Sequence, residues 1–198
     1  MFTGLVETTG RVDSIQPIDG GARLTLQIPF AAELALGDSV AVNGCCLTVD
    51  AVQGELVSFD LLSQTLRVTS LGDLVCGSLV NLERAMSAMA RFGGHFVMGH
   101  VDSVGQVASI SPIGQDHCLK VEIPMELARY CIDKGSITID GISLTIAKIQ
   151  ENLLEFWITP HTFERTNLQV KQAGDSVNLE VDMLAKYVEK IFEARGKN

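Results

Sequence analysis

Two neighbouring cysteines, Cys45 and Cys46, sit in the run VNGCCLTV at 42–49, and IDGISLTI at 139–146 repeats that run with Ile142 and Ser143 in their place. A thiol with a lowered pKa is a nucleophile or a base. A free cysteine is otherwise a small buried hydrophobe, so both readings of Cys46 stand at this point. The hydroxyls of Ser143, Thr145 and Thr48 can bond the polar edge of a ring or simply satisfy strand backbone. His95 and His100 in GGHFVMGH are an odd number of residues apart. In a strand they face opposite sides and cannot converge on one metal. An imidazole titrates near neutrality and can move protons. Asp182 precedes a helical pattern and reads as an N-cap.

The elements that position these groups come from a chain written twice. GLVETTGRVDSI at 4–15 returns as GHVDSVGQVASI at 99–110, and VNLE at 80–83 returns at 177–180. A repeat of this length exceeds a solenoid unit and gives each copy enough chain for its own core. The expected domains are 1–96 and 97–182. Short β-branched or alternating runs (ARLTLQI, DSVAV, LTVDAV, LVSFDLL) are separated by Gly, Asp and Pro. That spacing predicts a small antiparallel barrel or sandwich in each copy. RAMSAMA at 84–90 is a short linker with room for one or two helical turns. Helical periodicity is sustained only over 182–195, where Leu184, Tyr187, Val188, Ile191 and Phe192 make one apolar stripe. If both barrels close on themselves, a partner subunit is a plausible cover for a helix at 183–198.

The chain has 198 residues, 46% apolar and 20% charged, with a net charge of −9 and scattered basic residues. This argues against a nucleic-acid partner or an anionic membrane surface and favours a small-molecule ligand. Five cysteines without zinc-like spacing argue against disulfides and structural metal. The N-terminus lacks the pattern of a signal peptide and no apolar run is long enough to span a bilayer. A cytoplasmic, soluble protein is expected.

Taken together, MFTGLVE, NGCCLTV, GGHFVMGHVD, DGISLTI and the VNLEVD before the terminal helix resemble the riboflavin synthases, essentially end to end. The resemblance implies an all-β fold of two tandem six-stranded Greek-key barrels with a C-terminal helix, assembled as a homotrimer with active sites between subunits. It implies dismutation of two molecules of 6,7-dimethyl-8-ribityllumazine to riboflavin and 5-amino-6-ribitylaminouracil, with no cofactor and no metal. That reaction removes a proton from the 7-methyl group of one lumazine and directs a nucleophile to C7 of the other. Two barrels would bind two copies of one substrate in different roles, so the sites must share a shape and differ in chemistry.

By the same resemblance Cys46, Ser143, His100 and Asp182 are the expected catalytic residues and Cys45 is core. Ligand contacts are expected from Gly4, Leu5 and Val6, from Cys46, Leu47 and Thr48, and from Asp60, Leu61, Leu62, Ser63, Gln64 and Thr65 in the first copy. In the second they are Gly99, His100 and Val101, then Ser143, Leu144 and Thr145, and Trp157, Ile158, Thr159, Pro160, His161 and Thr162. His100 is expected at the second barrel's ligand mouth, and Lys134 is expected to reach ligand from a neighbouring subunit. The rival class is the lumazine proteins, non-catalytic relatives that bind one lumazine or flavin. The resemblance implies that they lack these histidines and alter the cysteine–serine pattern. The resemblance allows an association with lumazine synthase.

Overall fold

The structure is a computed structural model that describes residues 1–195, so 196–198 of the expected terminal helix lie outside the described residues. The first copy contains β1 (Thr8–Ile18), β2 (Gly21–Gln27), β3 (Ser39–Val42), β4 (Cys45–Gln53), β5 (Leu56–Leu62), a short helix α1 (Ser63–Val68) and β6 (Leu79–Arg84). Its strands close antiparallel in the order β1-β2-β5-β4-β3-β6, with β6 pairing back onto β1. Alternation decides the inside: Leu24, Leu26, Val40, Val42, Val49, Val57, Phe59, Val80 and Leu82 fill the barrel while their strand neighbours face outward.

The second copy contains β7 (Ser103–Ile113), β8 (Asp116–Glu122), a helical turn α2 (Met125–Ala128), β9 (Ser136–Ile139), β10 (Ile142–Thr145), β11 (Lys148–Gln150), β12 (Leu153–Ile158), α3 (Pro160–Arg165), β13 (Ser176–Val181) and the terminal helix α4 (Met183–Arg195). Its sheet is written with seven strands, β10-β9-β13-β7-β8-β12-β11. The topology is that of the first copy, with the strand matching β4 cut in two. β4 carries a bulge between Val49 and Ala51, and the cut falls at the matching Ile146–Lys148 step. Ala147 N donates to Glu155 O (2.8 Å) across the cut. The barrel is therefore curled and seamed where the first is closed, because one bulge has widened into a break.

The barrels meet along a buried polar seam. Asn81 Nδ2 donates to Asp140 O (2.9 Å), and the matched Asn178 Nδ2 donates to Asn43 O (2.8 Å). Asp140, with no exposed surface, lies 3.2 Å from Lys171 Nζ. Buried polar groups paired this completely fix one relative placement of two otherwise separate cores. Residues 85–90 form turns without a helix, Met86 N donating to Met1 O (3.0 Å), so backbone bonding to the N-terminus replaces the anticipated helical turn.

Helix α4 starts as its sequence requires: Asp182 Oδ1 accepts from Leu184 N (2.9 Å) as N-cap. Lys186 pairs with Asp102, and Glu189 with Arg129 and Tyr130, on the side facing the barrel. The apolar stripe Leu184, Tyr187, Val188, Ile191 and Phe192 stays exposed. Among the described residues no helix is long and apolar enough to cross a membrane.

Candidate active site

The site is built by two segments that leave their own barrels. Residues 1–6 precede β1 and residues 97–101 precede β7; Phe2 and Val97 pair antiparallel between them, Phe2 N donating to Val97 O (2.8 Å). From that bridge each segment crosses to the opposite barrel. Gly99 O accepts from Cys46 N (2.8 Å) on the first barrel, and Gly4 O accepts from Ser143 N (2.7 Å) on the second. Val101 packs against the first core and Val6 against the second. Both glycines have φ near +76°, and a Cβ on Gly99 or Gly4 would stand 2.6 Å from the Cβ of Cys46 or Ser143. A left-handed backbone pressed against a neighbouring strand leaves room for no other residue.

The first groove lies on the outside of β4. Cys46, Thr48 and Asp50 point outward, while Leu47 and Val49 point into the barrel. Cys46 is half-buried beside Phe2 and Val97. Cys46, Leu62, Gln64, Thr65, Gly99 and His100 line a groove of about 230 Å³. His100 also borders a second cleft of about 420 Å³ against Met183, Lys186 and Tyr187 of α4. Burial pushes the Cys45 thiol up to about 12, which keeps it protonated and inert beside the more accessible Cys46.

The resemblance implies a place for His100 at the second barrel's ligand mouth; in the structure it lines the groove of Cys46 on the first barrel and also borders the cleft of Glu180 and Met183. The reason is the crossing: residues 97–101 lead into β7 yet bond to β4. The imidazole beside Ser143 on the second barrel is that of His95: its Nδ1 is 2.7 Å from Ser143 Oγ, and the His95 backbone N–H donates to Thr3 O (3.1 Å). His95 is buried and its Nε2 has no partner. Burial holds its pKa below the ordinary imidazole value, with the Asp182 carboxylate pulling the other way. A largely neutral ring with Nε2 protonated accepts from the Ser143 hydroxyl; the other tautomer donates to it. Either way the second barrel carries a hydroxyl–imidazole pair with Asp182 in electrostatic reach, whereas the groove of the first holds a thiol with an exposed imidazole.

Thr145 and Trp157 face outward on the second barrel as Thr48 and Asp60 do on the first. Thr159, Pro160, His161 and Thr162 follow at the start of α3, as Ser63, Gln64 and Thr65 do in α1. Thr159 caps α3 from its side chain, accepting from Thr162 N, and Ser63 Oγ donates to Gly20 O (2.9 Å). Asp60 is held by Arg23, with Arg23 Nε 2.7 Å from its carboxylate, which keeps its pKa low. Leu47, Leu61, Leu144 and Ile158 are buried inside the barrels, so the outer face of either barrel presents only their backbone. Leu5 is exposed. Lys134 occupies an exposed turn with φ +66° beyond the Thr145 end of the β9–β10 hairpin, Lys134 N donating to Ile146 O (2.8 Å). Among the described residues no three His, Cys, Asp or Glu side chains come together as a metal site.

The Lumazine binding domain family matches residues 3–85 and 98–182, one match per barrel. The riboflavin synthase of Actinobacillus pleuropneumoniae is 44% identical over 193 residues, covering 97% of this chain and 90% of that protein. That of Mycobacterium tuberculosis is 43% identical over 201 residues (99% and 100%), and that of Bacillus subtilis 40% over 199 (100% and 93%). Among solved structures, LumP complexed with riboflavin superposes with a TM-score of 0.86 at 27% identity, covering 91% of this chain and 99% of that one. LumP complexed with 6,7-dimethyl-8-(1'-D-ribityl)lumazine gives 0.84 at the same identity and coverage. With a lumazine-binding domain matched once in each barrel, and relatives of this identity along nearly their whole length, the chain belongs to the riboflavin synthase family, enzymes of riboflavin biosynthesis.

Proposed function

We propose that each groove takes one 6,7-dimethyl-8-ribityllumazine and that the chain dismutates the pair to riboflavin and 5-amino-6-ribitylaminouracil without cofactor or metal. The observation that carries this reading is the matched rung at which Cys46 and Ser143 stand: the same strand, the same crossing glycine, a different reacting group. Cys46 and His100 serve one half-site. Ser143, His95 and Asp182 serve the other, where a buried imidazole can take or return a proton through the Ser143 hydroxyl. The outward residues of 60–65 and 157–162, with Thr48, Thr145 and the 4–6 and 99–101 segments, hold ring and ribityl chain. The products of such a pairing require a four-carbon donor and a four-carbon acceptor, which identical sites could not distinguish.

The working assembly is a homotrimer with sites between subunits. Its support is the exposed α4 stripe, together with a first groove of about 230 Å³. That volume falls below the roughly 300–1,000 Å³ of a pocket that encloses a ligand. A neighbouring subunit supplies the missing wall, with Lys134 the candidate contact across it. Five free cysteines fit a reducing compartment, so we place the protein in the cytoplasm.

Purified protein given 6,7-dimethyl-8-ribityllumazine alone should develop riboflavin absorbance, and its absence would refute the activity. Deleting the chain after Asp182 should dissociate the trimer on size-exclusion chromatography with light scattering and lower turnover with it. A fully active monomer would contradict the assembly.

A further inference from the structure

Two buried carboxylates take no part in the chemistry above. Glu83, near the end of β6, is 6% exposed, and its repeat partner Glu180 on β13 is 4% exposed. Glu83 belongs to the first barrel, yet it accepts from Thr3 N (2.7 Å), Thr3 Oγ1 (2.9 Å) and Gly4 N (3.0 Å). Those residues form the segment that crosses to the second barrel, where Gly4 O receives Ser143 N and Thr3 O receives His95 N. Glu180 belongs to the second barrel, yet it accepts from Met98 N (2.7 Å) and Gly99 N (2.9 Å). That segment crosses to the first barrel, where Gly99 O receives Cys46 N. Burial raises the pKa of both carboxyls and the amide donors lower it. A carboxylate kept in so dry a place is costly unless every oxygen is used, and here both oxygens hold consecutive amides that no strand partner reaches.

We propose that Glu83 and Glu180 are positioning residues that cross-wire the half-sites, each barrel's last strand setting the geometry of the other barrel's groove. Glu180 places Gly99 and His100 against Cys46. Glu83 places Thr3 and Gly4 against His95 and Ser143. The inference rests on reading the grooves as half-sites, but its test needs no turnover.

Glutamine keeps the shape of glutamate and turns one acceptor into a donor facing an amide N–H, a local conflict. Iodoacetamide labelling of the full-length protein, resolved by peptide mass spectrometry, should show Cys46 reacting about tenfold faster in Glu180→Gln, the factor expected for losing one charge-assisted bond. In Glu83→Gln the Cys46 rate should stay within about twofold of wild type. The His95 imidazole nitrogen resonances should shift in Glu83→Gln and not in Glu180→Gln. Buried Cys118 and Cys131 should remain protected in both. Should Glu180→Gln fail to fold, Glu180→Asp, which withdraws the carboxylate by one methylene, should reproduce the selective Cys46 effect. Equal Cys46 labelling in the Glu83 and Glu180 variants would overturn the cross-wiring, as would a parallel rise at Cys46, Cys118 and Cys131 in every Glu180 variant. A wild-type protein that makes no riboflavin yet shows the predicted labelling would sink the activity and leave the wiring intact.

Discussion

Cys46 and Ser143 occupy the same rung of the same barrel, each donating its backbone N–H to a glycine carbonyl that arrives from the other half of the molecule. The backbones match; what stands beside each side chain does not. On the first barrel the neighbour is His100, an exposed ring on the crossing segment. On the second it is His95, buried, hydrogen-bonded to Ser143 and drawn on by Asp182. Duplication here has preserved the backbone at the two rungs and changed the side chains that stand beside them. The crossing also means that neither barrel carries a complete groove of its own.

The comparison is broken most severely by equalising the two rungs. Cys46→Ser gives the first groove the hydroxyl of the second at nearly unchanged volume, and a serine is a far poorer nucleophile than a thiolate near neutral pH. Single-turnover rates should fall by two decades or more, roughly 2.7 kcal/mol of transition-state stabilisation. Wild-type rates would reduce Cys46 to packing.

Ser143→Ala removes the hydroxyl bonded to His95 and should act more mildly. Turnover should slow, with lumazine binding weakened by about 1 kcal/mol in a fluorescence titration if the hydroxyl contacts the ligand. Unchanged binding and turnover would make the Ser143–His95 bond a purely structural contact.

A smaller effect separates the two histidines by pH. The folded-state pKa of His95 is depressed by burial, so its contribution to stability is complete above the unfolded imidazole value of roughly 6.5 and is lost as pH falls through the lower folded value. Thermal unfolding of wild type and His95→Gln should therefore converge as pH drops below about 6.5. A gap between the two curves that stays constant from pH 7 to pH 5 would refute this.

Much of this was legible in the residues. The repeat predicted two copies of one barrel, and the change from Cys46 to Ser143 marked the place where they diverge. Asp182 read as an N-cap because capping is a local property of a few residues. The crossing was not legible: residues 1–6 and 97–101 look like lead-ins to β1 and β7, and only hydrogen bonds distant in sequence carry them to the opposite barrel. For that reason the repeat alone does not place His100 beside Cys46. The repeat gives His95 no role, because it lies in the stretch between the copies and has no counterpart in the first; the two glycines before it, Gly93 and Gly94, are the sequence's sign of a tight backbone approach. The split of β10 from β11 turns on a bulge, which composition does not announce.

The most direct test of two half-sites with one shape and two chemistries is to count ligand on a protein that cannot use it. Titrating Cys46→Ser with 6,7-dimethyl-8-ribityllumazine while following bound-ligand fluorescence should reach two lumazines per chain, with riboflavin formation at least a hundredfold below wild type. Saturation at one lumazine per chain, or riboflavin formed at the wild-type rate, would contradict it.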